Sequence, residues 1–353
     1  MTETAETEAA AAAAAMATSE EAPLIGLQRV LEAAATLAGV AVRTPLVPFG
    51  PPDHRRFLKA ESLQPIGAFK IRGAYVAVAS LTAEERARGV ITYSSGNHAQ
   101  GVARAARLLG APAVVVMPSD APAIKRERVA ADGAEIVVVG TASDERQAVA
   151  ERIAAERGLA IIPPFDDDRV IAGQGTVGLE IAESLPDVAA VLVPIGGGGL
   201  ASGVAVAIRA LVPDARVIGV EPELSADARE SLATGHIVTW SAADVSRTIA
   251  DGTRTRALGR RTFAHLSRLL DSIITVSEAE IAAGVRLAAE ESRLVVEPSG
   301  ALSVAALAFH AAELGLDPAG GYGGRPVVAV VSGGNVDPEQ YVEYLRAPVP
   351  LRG

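Results

Sequence analysis

Val191-Leu192-Val193-Pro194-Ile195-Gly196-Gly197-Gly198-Gly199-Leu200 carries a short apolar run into four consecutive glycines, and the thirty residues from there to Val220 decide the fold. Val204, Ala207, Ile208 and Leu211 recur at helical spacing, and Arg216-Val217-Ile218-Gly219-Val220 is again strand-like. A strand, a helix and a strand in this order make a parallel pair with the helix crossing one face. The same rhythm runs upstream. Gly89-Val90-Ile91-Thr92-Tyr93, Ala113-Val114-Val115-Val116-Met117 and Glu135-Ile136-Val137-Val138-Val139 are β-branched runs, and Val102, Ala105, Ala106 and Leu109 mark a helix between the first two. This alternation predicts an α/β chain whose parallel sheets are covered by helices on both faces.

In such sheets ligands bind just beyond the carboxyl ends of the strands. Three places there are unusual: Ser94-Ser95-Gly96-Asn97-His98, Gly196 to Gly199, and Ser332-Gly333-Gly334-Asn335 after Val327-Val328-Ala329-Val330-Val331. All three are expected on one rim. Four glycines leave no Cβ to shield backbone N–H groups from an anion, and the next helix adds its positive end, so this loop reads as a phosphate cup more than as a plain turn. The cup alone does not name its ligand. Gly196, Gly198 and Ala201 also fit a dinucleotide fingerprint, with Glu221 near the position of a ribose-binding acid, which keeps an NAD-binding dehydrogenase as a distant alternative. That alternative leaves the other two polar segments without a task.

Composition narrows the classes further. Among 353 residues there is no cysteine, which removes disulfides, thiol catalysis and thiolate metal sites and agrees with a cytoplasmic setting. With 32 basic and 42 acidic residues the net charge is −10, which opposes broad electrostatic binding to nucleic acid or to an anionic membrane. No uninterrupted apolar stretch of about 18 residues suggests a membrane span. Residues 1–22 are rich in Ala, Glu and Thr without a basic leader, and read as a disordered low-complexity tail. Only three of the 32 basic residues are lysine: Lys59, Lys70 and Lys125. Each therefore raises the question of why arginine is absent.

Lys70 follows Gly67-Ala68-Phe69 and opens the apolar segment from Ile71 to Leu81. An amine near a helix N-terminus and desolvated by a phenyl ring has a lowered pKa, as Schiff-base chemistry requires, and arginine forms no imine. Ser94 to His98 combines hydroxyls with free helix N–H groups, which suits a carboxylate and exceeds what an N-cap needs. A hydroxyl at Ser332 in neutral surroundings can donate to a heterocyclic nitrogen without protonating it. The five histidines show no metal-ligand spacing.

Taken together, these segments resemble the pyridoxal-phosphate-dependent threonine/serine dehydratases of the tryptophan-synthase-β-like fold (fold type II), a family that also holds serine racemases and 3-hydroxyaspartate dehydratases. The matching text runs from Arg43-Thr44-Pro45-Leu46 to Asp337. It passes through Leu58-Lys59-Ala60-Glu61, Gly67 to Ala74, Ser94 to Gly101, Ala172 to Thr176, the glycine loop, Gly219-Val220-Glu221-Pro222, Ala250-Asp251-Gly252, Val296 to Ala301 and Ser332 to Asn335. It departs from many relatives at Ile66 and Ala68, where they carry threonine and serine.

The resemblance implies two three-layer domains, a large cofactor-binding one over 23–88 and 168–353 and a small mobile one over 89–167. It implies that Lys70 holds pyridoxal 5′-phosphate as the internal aldimine, with Phe69 beside the ring and Asn97 on the ring hydroxyl. Gly196, Gly197, Gly198, Gly199 and Leu200 would surround the phosphate, Gly252 and Glu297 would border the cofactor, and Ser332 would face the pyridine nitrogen. Ser94, Ser95, Gly96, Asn97 and His98 would bind the substrate carboxylate. The implied reaction is a β-elimination in which Lys70 removes the α-proton of a 3-hydroxy amino acid, giving a 2-keto acid and ammonia. In racemase-like members a serine at the place of Ser95 works opposite the lysine, so Ser95 permits racemisation as well as elimination. Serine racemase and 3-hydroxyaspartate dehydratase are the alternatives on this scaffold, and a non-catalytic metabolite sensor is a third. Glu221, Asp227 and the carbonyl of Ser225 match a divalent-cation site for Mg²⁺, Ca²⁺ or Mn²⁺, against the plainer reading of a solvated acidic loop. The family is usually a homodimer with a small-molecule amino-acid substrate.

Overall fold

A computed structural model describes residues 23–94, 96–119, 121, 123–140, 143–317 and 320–351. The tail expected at 1–22 and the residue Ser95 lie outside the described residues. The strands are β1 (Leu46–Pro48), β2 (Arg56–Ala60), β3 (Val90–Tyr93), β4 (Ala113–Pro118), β5 (Glu135–Val139), β6 (Ala160–Ile161), β7 (Ala190–Pro194), β8 (Arg216–Pro222), β9 (Ser272–Val276) and β10 (Val327–Val331). They form a six-stranded sheet ordered β1-β2-β10-β7-β8-β9 and a four-stranded sheet ordered β5-β4-β3-β6. The second sheet draws all its strands from residues 90–161.

Every strand pair is parallel except β1 with β2, where Leu46 faces Lys59 and Pro48 faces Phe57. The expectation of parallel sheets is corrected at this edge. A short loop containing Gly50-Pro51-Pro52 joins the two strands and can only reverse the chain, whereas a parallel neighbour needs a long crossover.

The inner strands explain themselves by composition. All residues of β4, β7 and β10 are buried, as strands covered by helices on both faces must be, and their β-branched side chains suit a pleated surface. The edge strand β5 exposes Glu135 and Val138. The helix Pro298–Phe309 is apolar on every side and buried along its whole length, packed against β7, β8, β9 and β10. The helices Asp168–Ser184 and Gly199–Leu211 lie so close that a Cβ on Gly203 would overlap the carbonyl oxygen of Ile171. That contact carries the glycine loop, which opens the second of these helices, on a fixed support.

β7 and β10 are parallel neighbours, so the glycine loop and Ser332 leave the same edge of the large sheet side by side. Ser94 and the residues 96–98 come directly after β3 and belong to the side of the other sheet. The three segments thus occupy two rims that face each other across a cleft, and not the single rim expected.

Candidate active site

Lys70 is the first residue of the helix Lys70–Ala79. The turn before it is zipped to the segment after β10: Gly334 donates its N–H to the carbonyl of Gly67 at 2.9 Å, Ala68 bridges Gly333, and Phe69 donates to the carbonyl of Ser332 at 3.0 Å. Gly67 has φ +73, and a Cβ there would overlap the side-chain oxygen of Asn335. These contacts place the lysine beside the serine although 262 residues separate them. Ala68 is fully buried in the zip against Gly333, so no hydroxyl stands next to the lysine.

The Lys70 side chain is enclosed. Its Nζ donates to the carbonyl oxygen of Pro164 at 2.7 Å and lies 5.2 Å from the centre of the Phe69 ring. Burial away from any compensating carboxylate pulls the amine down to about 8. His98 is pulled down to about 3, first by burial and then by the charge of Lys70. Its imidazole is therefore neutral, with Nε2 donating to the carbonyl of Ile162 at 3.0 Å.

Around Lys70 opens a cleft of about 420 Å³. Its walls include Phe69, Ser94, Gly96, Asn97, His98, the glycines 196–199, Leu200, Gly252, Glu297 and Ser332. Apart from Ser95, the structure thus brings together all the expected cofactor and substrate residues. Among the described residues no carbonyl accepts from the N–H groups of Gly196 to Leu200, and no side chain caps the helix that starts at Gly199. Gly198 has φ +90, and a Cβ on Gly197 would overlap the Phe165 ring. The loop is thereby a backbone cradle with open donors, the feature an anionic phosphate needs. Ser332 is buried, and its hydroxyl makes only a long contact of 3.4 Å to the carbonyl of Ser299, which leaves it able to turn toward a ring nitrogen. Gly252 uses its N–H on the hydroxyl of Ser299 at 2.8 Å and so borders the cleft without a free donor.

Glu297 accepts from Asn97 Nδ2 at 2.6 Å and is buried. Burial first, and then the charge of Asp251, push its carboxyl up to about 8, so it is mostly protonated at neutral pH. Several wall residues were not picked out by sequence reasoning. Pro164 and Phe165 form the strap that receives the lysine and covers the glycine loop, and Asp166 next to them accepts the N–H groups of Arg260, Arg261 and Thr262. Lys125 and Asp251 pair at 2.7 Å across the mouth. Arg146 also lines the cleft. The one local hint of the strap was a phenylalanine among only six in the chain.

Glu221, Ser225 and Asp227 lie outside the cleft lining and are each almost fully buried. Glu221 accepts from the N–H of Ala228 at 3.0 Å and of Arg229 at 2.7 Å. The hydroxyl of Ser225 and Oδ2 of Asp227 have no partner among the described residues. Burial and then the charge of Asp227 raise the Glu221 carboxyl well above its usual range, and burial lifts Asp227 to about 7. No cluster of three or more His, Cys, Asp or Glu residues occurs among the described residues, so any cation here would rely on two carboxylates and a carbonyl.

The chain is similar to known proteins over most of its length. Residues 37–333 match the family model described as pyridoxal-phosphate dependent enzyme. The chain is 43% identical to the L-threo-3-hydroxyaspartate ammonia-lyase of Saccharomyces cerevisiae, over 81% of this chain and 84% of that protein. It is 42% identical to the L-threonine ammonia-lyase of Thermotoga maritima, over 89% of this chain and 76% of the relative. The structure of maize serine racemase superposes with a TM-score of 0.83 at 37% identity, covering 91% and 97% of the two chains.

Proposed function

The chain belongs to the pyridoxal-phosphate-dependent enzyme family, and on that premise we propose that its cleft removes ammonia from 3-hydroxy amino acids of the threonine and serine type, giving 2-keto acids. The observation that carries this reading is the convergence of the Lys70 amine, the open N–H groups of the glycine loop and the Ser332 hydroxyl on one enclosed cleft. Lys70 would hold the cofactor, the glycine loop its phosphate, Asn97 its ring oxygen and Ser332 its ring nitrogen. Bound pyridoxal phosphate would supply an electron-withdrawing ring that acidifies the α-hydrogen of an amino acid attached through its amino group.

The protein's own residues divide the remaining work. Ser94 and the N–H groups that open the helix Asn97–Leu109 receive the substrate carboxylate. Lys70, desolvated and neutral in a large share of molecules near pH 8, takes the α-proton at Nζ. The neutral hydroxyl of Ser332 would bond the ring nitrogen without giving it a formal proton, which would temper the ring's electron withdrawal and favour loss of the β-substituent. The α-proton and the β-hydroxyl leave as water. The enamine released takes up water and gives ammonia and the keto acid, so the net change is loss of ammonia. The strap and the small sheet exclude solvent from this chemistry; movement of the small domain, residues 89–167, belongs to the same reading.

Within this class, Arg146 in the wall favours a substrate with a second carboxylate, such as 3-hydroxyaspartate, the substrate named for the yeast relative. Ser95 permits racemisation as a side reaction. The partnerless Oδ2 of Asp227, with the Glu221 carboxylate and the Ser225 carbonyl, would suit a divalent cation held by oxygen ligands, placed away from the reacting atoms. No helix among the described residues is long and apolar enough to cross a membrane; a homodimer in the cytoplasm completes the reading and is checked by light scattering. Release of keto acid from a panel of L- and D-hydroxy amino acids, together with the visible spectrum of the purified protein, tests the whole. A protein without a visible cofactor band, or one that forms no keto acid from any of them, rejects it.

A further inference from the structure

A chain of hydrogen bonds runs from the surface of the small sheet's helix Ala123–Ala131 into the cleft. Arg128 donates to Oδ1 of Asn335; Asn335 Nδ2 donates to the carbonyl of Ile66 at 2.8 Å and to Oδ1 of Asn97 at 2.8 Å; Asn97 Nδ2 donates to Glu297 at 2.6 Å. An asparagine amide can be reversed end for end in most settings, because oxygen and nitrogen have nearly the same shape. Here it cannot. A guanidinium only donates and a main-chain carbonyl only accepts, so Arg128 and Ile66 together fix which end of Asn335 faces which neighbour. Both hydrogens of Asn335 Nδ2 are then spent, one of them on Asn97, and Asn97 must turn its oxygen toward Asn335 and its NH₂ toward Glu297 and the cleft. One of those two hydrogens goes to Glu297, and the second is left for a ligand. Asn335 is also held in place sterically, since a side chain at Gly67 would overlap its oxygen.

We propose that Asn335 is a positioning residue that fixes Asn97 as a hydrogen-bond donor toward the cofactor's ring oxygen, and that Arg128 sets the orientation of Asn335 from across the cleft. The inference rests on the proposed contact between Asn97 and that ring oxygen. A donor at this point stabilises negative charge on the oxygen, whereas a reversed Asn97 would present its own oxygen there and repel it. Because Arg128 is carried by the small sheet's layer and Asn335 by the large one, the polarity of Asn97 depends on how the two sit together.

Asn335→Asp keeps the shape but removes both donors, so Asn97 reverses to donate to the new carboxylate. Arg128→Met removes the anchor from an exposed position and leaves the packing around Asn335 intact. The test is the visible absorbance of the holoenzyme monitored from pH 6 to 10, with thermal unfolding measured alongside. The expected result is a displaced absorbance maximum in Asn335→Asp and an upward shift of its pH transition by about one unit, with a smaller shift in the same direction in Arg128→Met. If Asn335→Asp does not fold, Arg128→Met decides. Spectra and transitions that stay at the wild-type position in every variant that folds, whatever the loss in thermal stability, overturn the proposal and leave Asn335 a structural residue. A wild-type protein with no visible band at all removes the cofactor reading itself, an outcome distinct from unmoved variants.

Discussion

Lys70 Nζ meets the carbonyl oxygen of Pro164 at 2.7 Å in an enclosed site, and burial pulls the amine down to about 8. The carbonyl can accept from either the charged or the neutral amine, but it cannot repay the lost hydration of the charge. Only the neutral amine attacks a carbonyl carbon, and below pH 8 its share rises tenfold per unit. The rate at which the apoprotein captures added pyridoxal phosphate should therefore climb steeply from pH 6.5 and level off above about 8. Stopped-flow absorbance reads it directly. Lys70→Ala should capture none and lose turnover. A capture rate still climbing steeply at pH 10 would mean that the lysine is solvated as an ordinary side chain is.

The glycine loop supports a second prediction. Gly197→Ala places a methyl group where the Phe165 ring lies, so the strap must lift and the cradle with it. Overlap of this kind costs about 1–3 kcal/mol. Phosphate retention should weaken about tenfold or more, measured as the dissociation constant of the cofactor by absorbance. Phe165→Ala in the same background should recover part of the loss, since the clash is with that ring.

The lysine count left two residues unexplained, and a buried charge cluster accounts for one of them. Lys59 donates to Glu180 at 2.5 Å and to the carbonyl of Thr44 at 2.7 Å. Arg72, two residues past Lys70, meets Glu61 at 2.8 Å and Glu180 at 2.6 Å. Burial alone would raise the Glu61 carboxyl, but the Arg72 guanidinium, helped by the Lys59 charge and the Thr44 hydroxyl, holds the group below its usual range. Arg72→Met leaves Glu61 fully buried without that guanidinium and should cost about 3–5 kcal/mol in chemical denaturation. Because the Glu61 carboxyl is held at a lower pKa in the folded than in the unfolded chain, its contribution is fully present above the ordinary carboxylate pKa and is lost as pH falls through the lowered one. Wild-type stability should thus fall on strong acidification, by more than that of Glu61→Gln.

How much of this was legible depends on sequence distance. The strands, the glycine loop and the exceptional Lys70 are local patterns, and each stands where its own neighbours predict. The antiparallel β1 is set by a turn whose strands are too short to show a period. The division of three polar segments between two facing rims depends on sheet order, which no single segment encodes. Phe165 on Gly197, Lys125 on Asp251 and Arg128 on Asn335 join residues tens to hundreds of positions apart, and each of these side chains alone reads as ordinary. The lysine at 125 acquires its meaning only there, as the small sheet's partner for an aspartate at the cleft mouth.

Arg146 carries the prediction about substrate. A guanidinium in the wall would bind a second carboxylate with charge-assisted hydrogen bonds worth about 1.5–3 kcal/mol. Arg146→Met should lower kcat/KM for 3-hydroxyaspartate by about ten- to a hundredfold and leave serine and threonine within a few-fold. Equal losses on all three substrates would instead mean that Arg146 holds the small sheet in place.

Glu221, Ser225 and Asp227 support the last prediction. Two buried carboxylates beside each other are costly; Glu221 is relieved by the N–H groups of Ala228 and Arg229, and Asp227 only in part, by its own backbone N–H. Oδ2 of Asp227 has no donor among the described residues. A cation taking both side chains and the Ser225 carbonyl would stabilise the folded state by mass action, by about 2.7 kcal/mol at a hundredfold excess over its dissociation constant. Millimolar Mg²⁺ or Ca²⁺ should raise the thermal midpoint by several degrees, and a chelator should reverse the rise. Asp227→Asn should lose the response to cations. It should also unfold at a temperature no lower than the chelated wild type, because it removes a buried charge along with the ligand. If midpoint and activity ignored cation and chelator alike, the acidic pair would have to be read as a helix cap, with Glu221 receiving two backbone donors and Asp227 held protonated beside it.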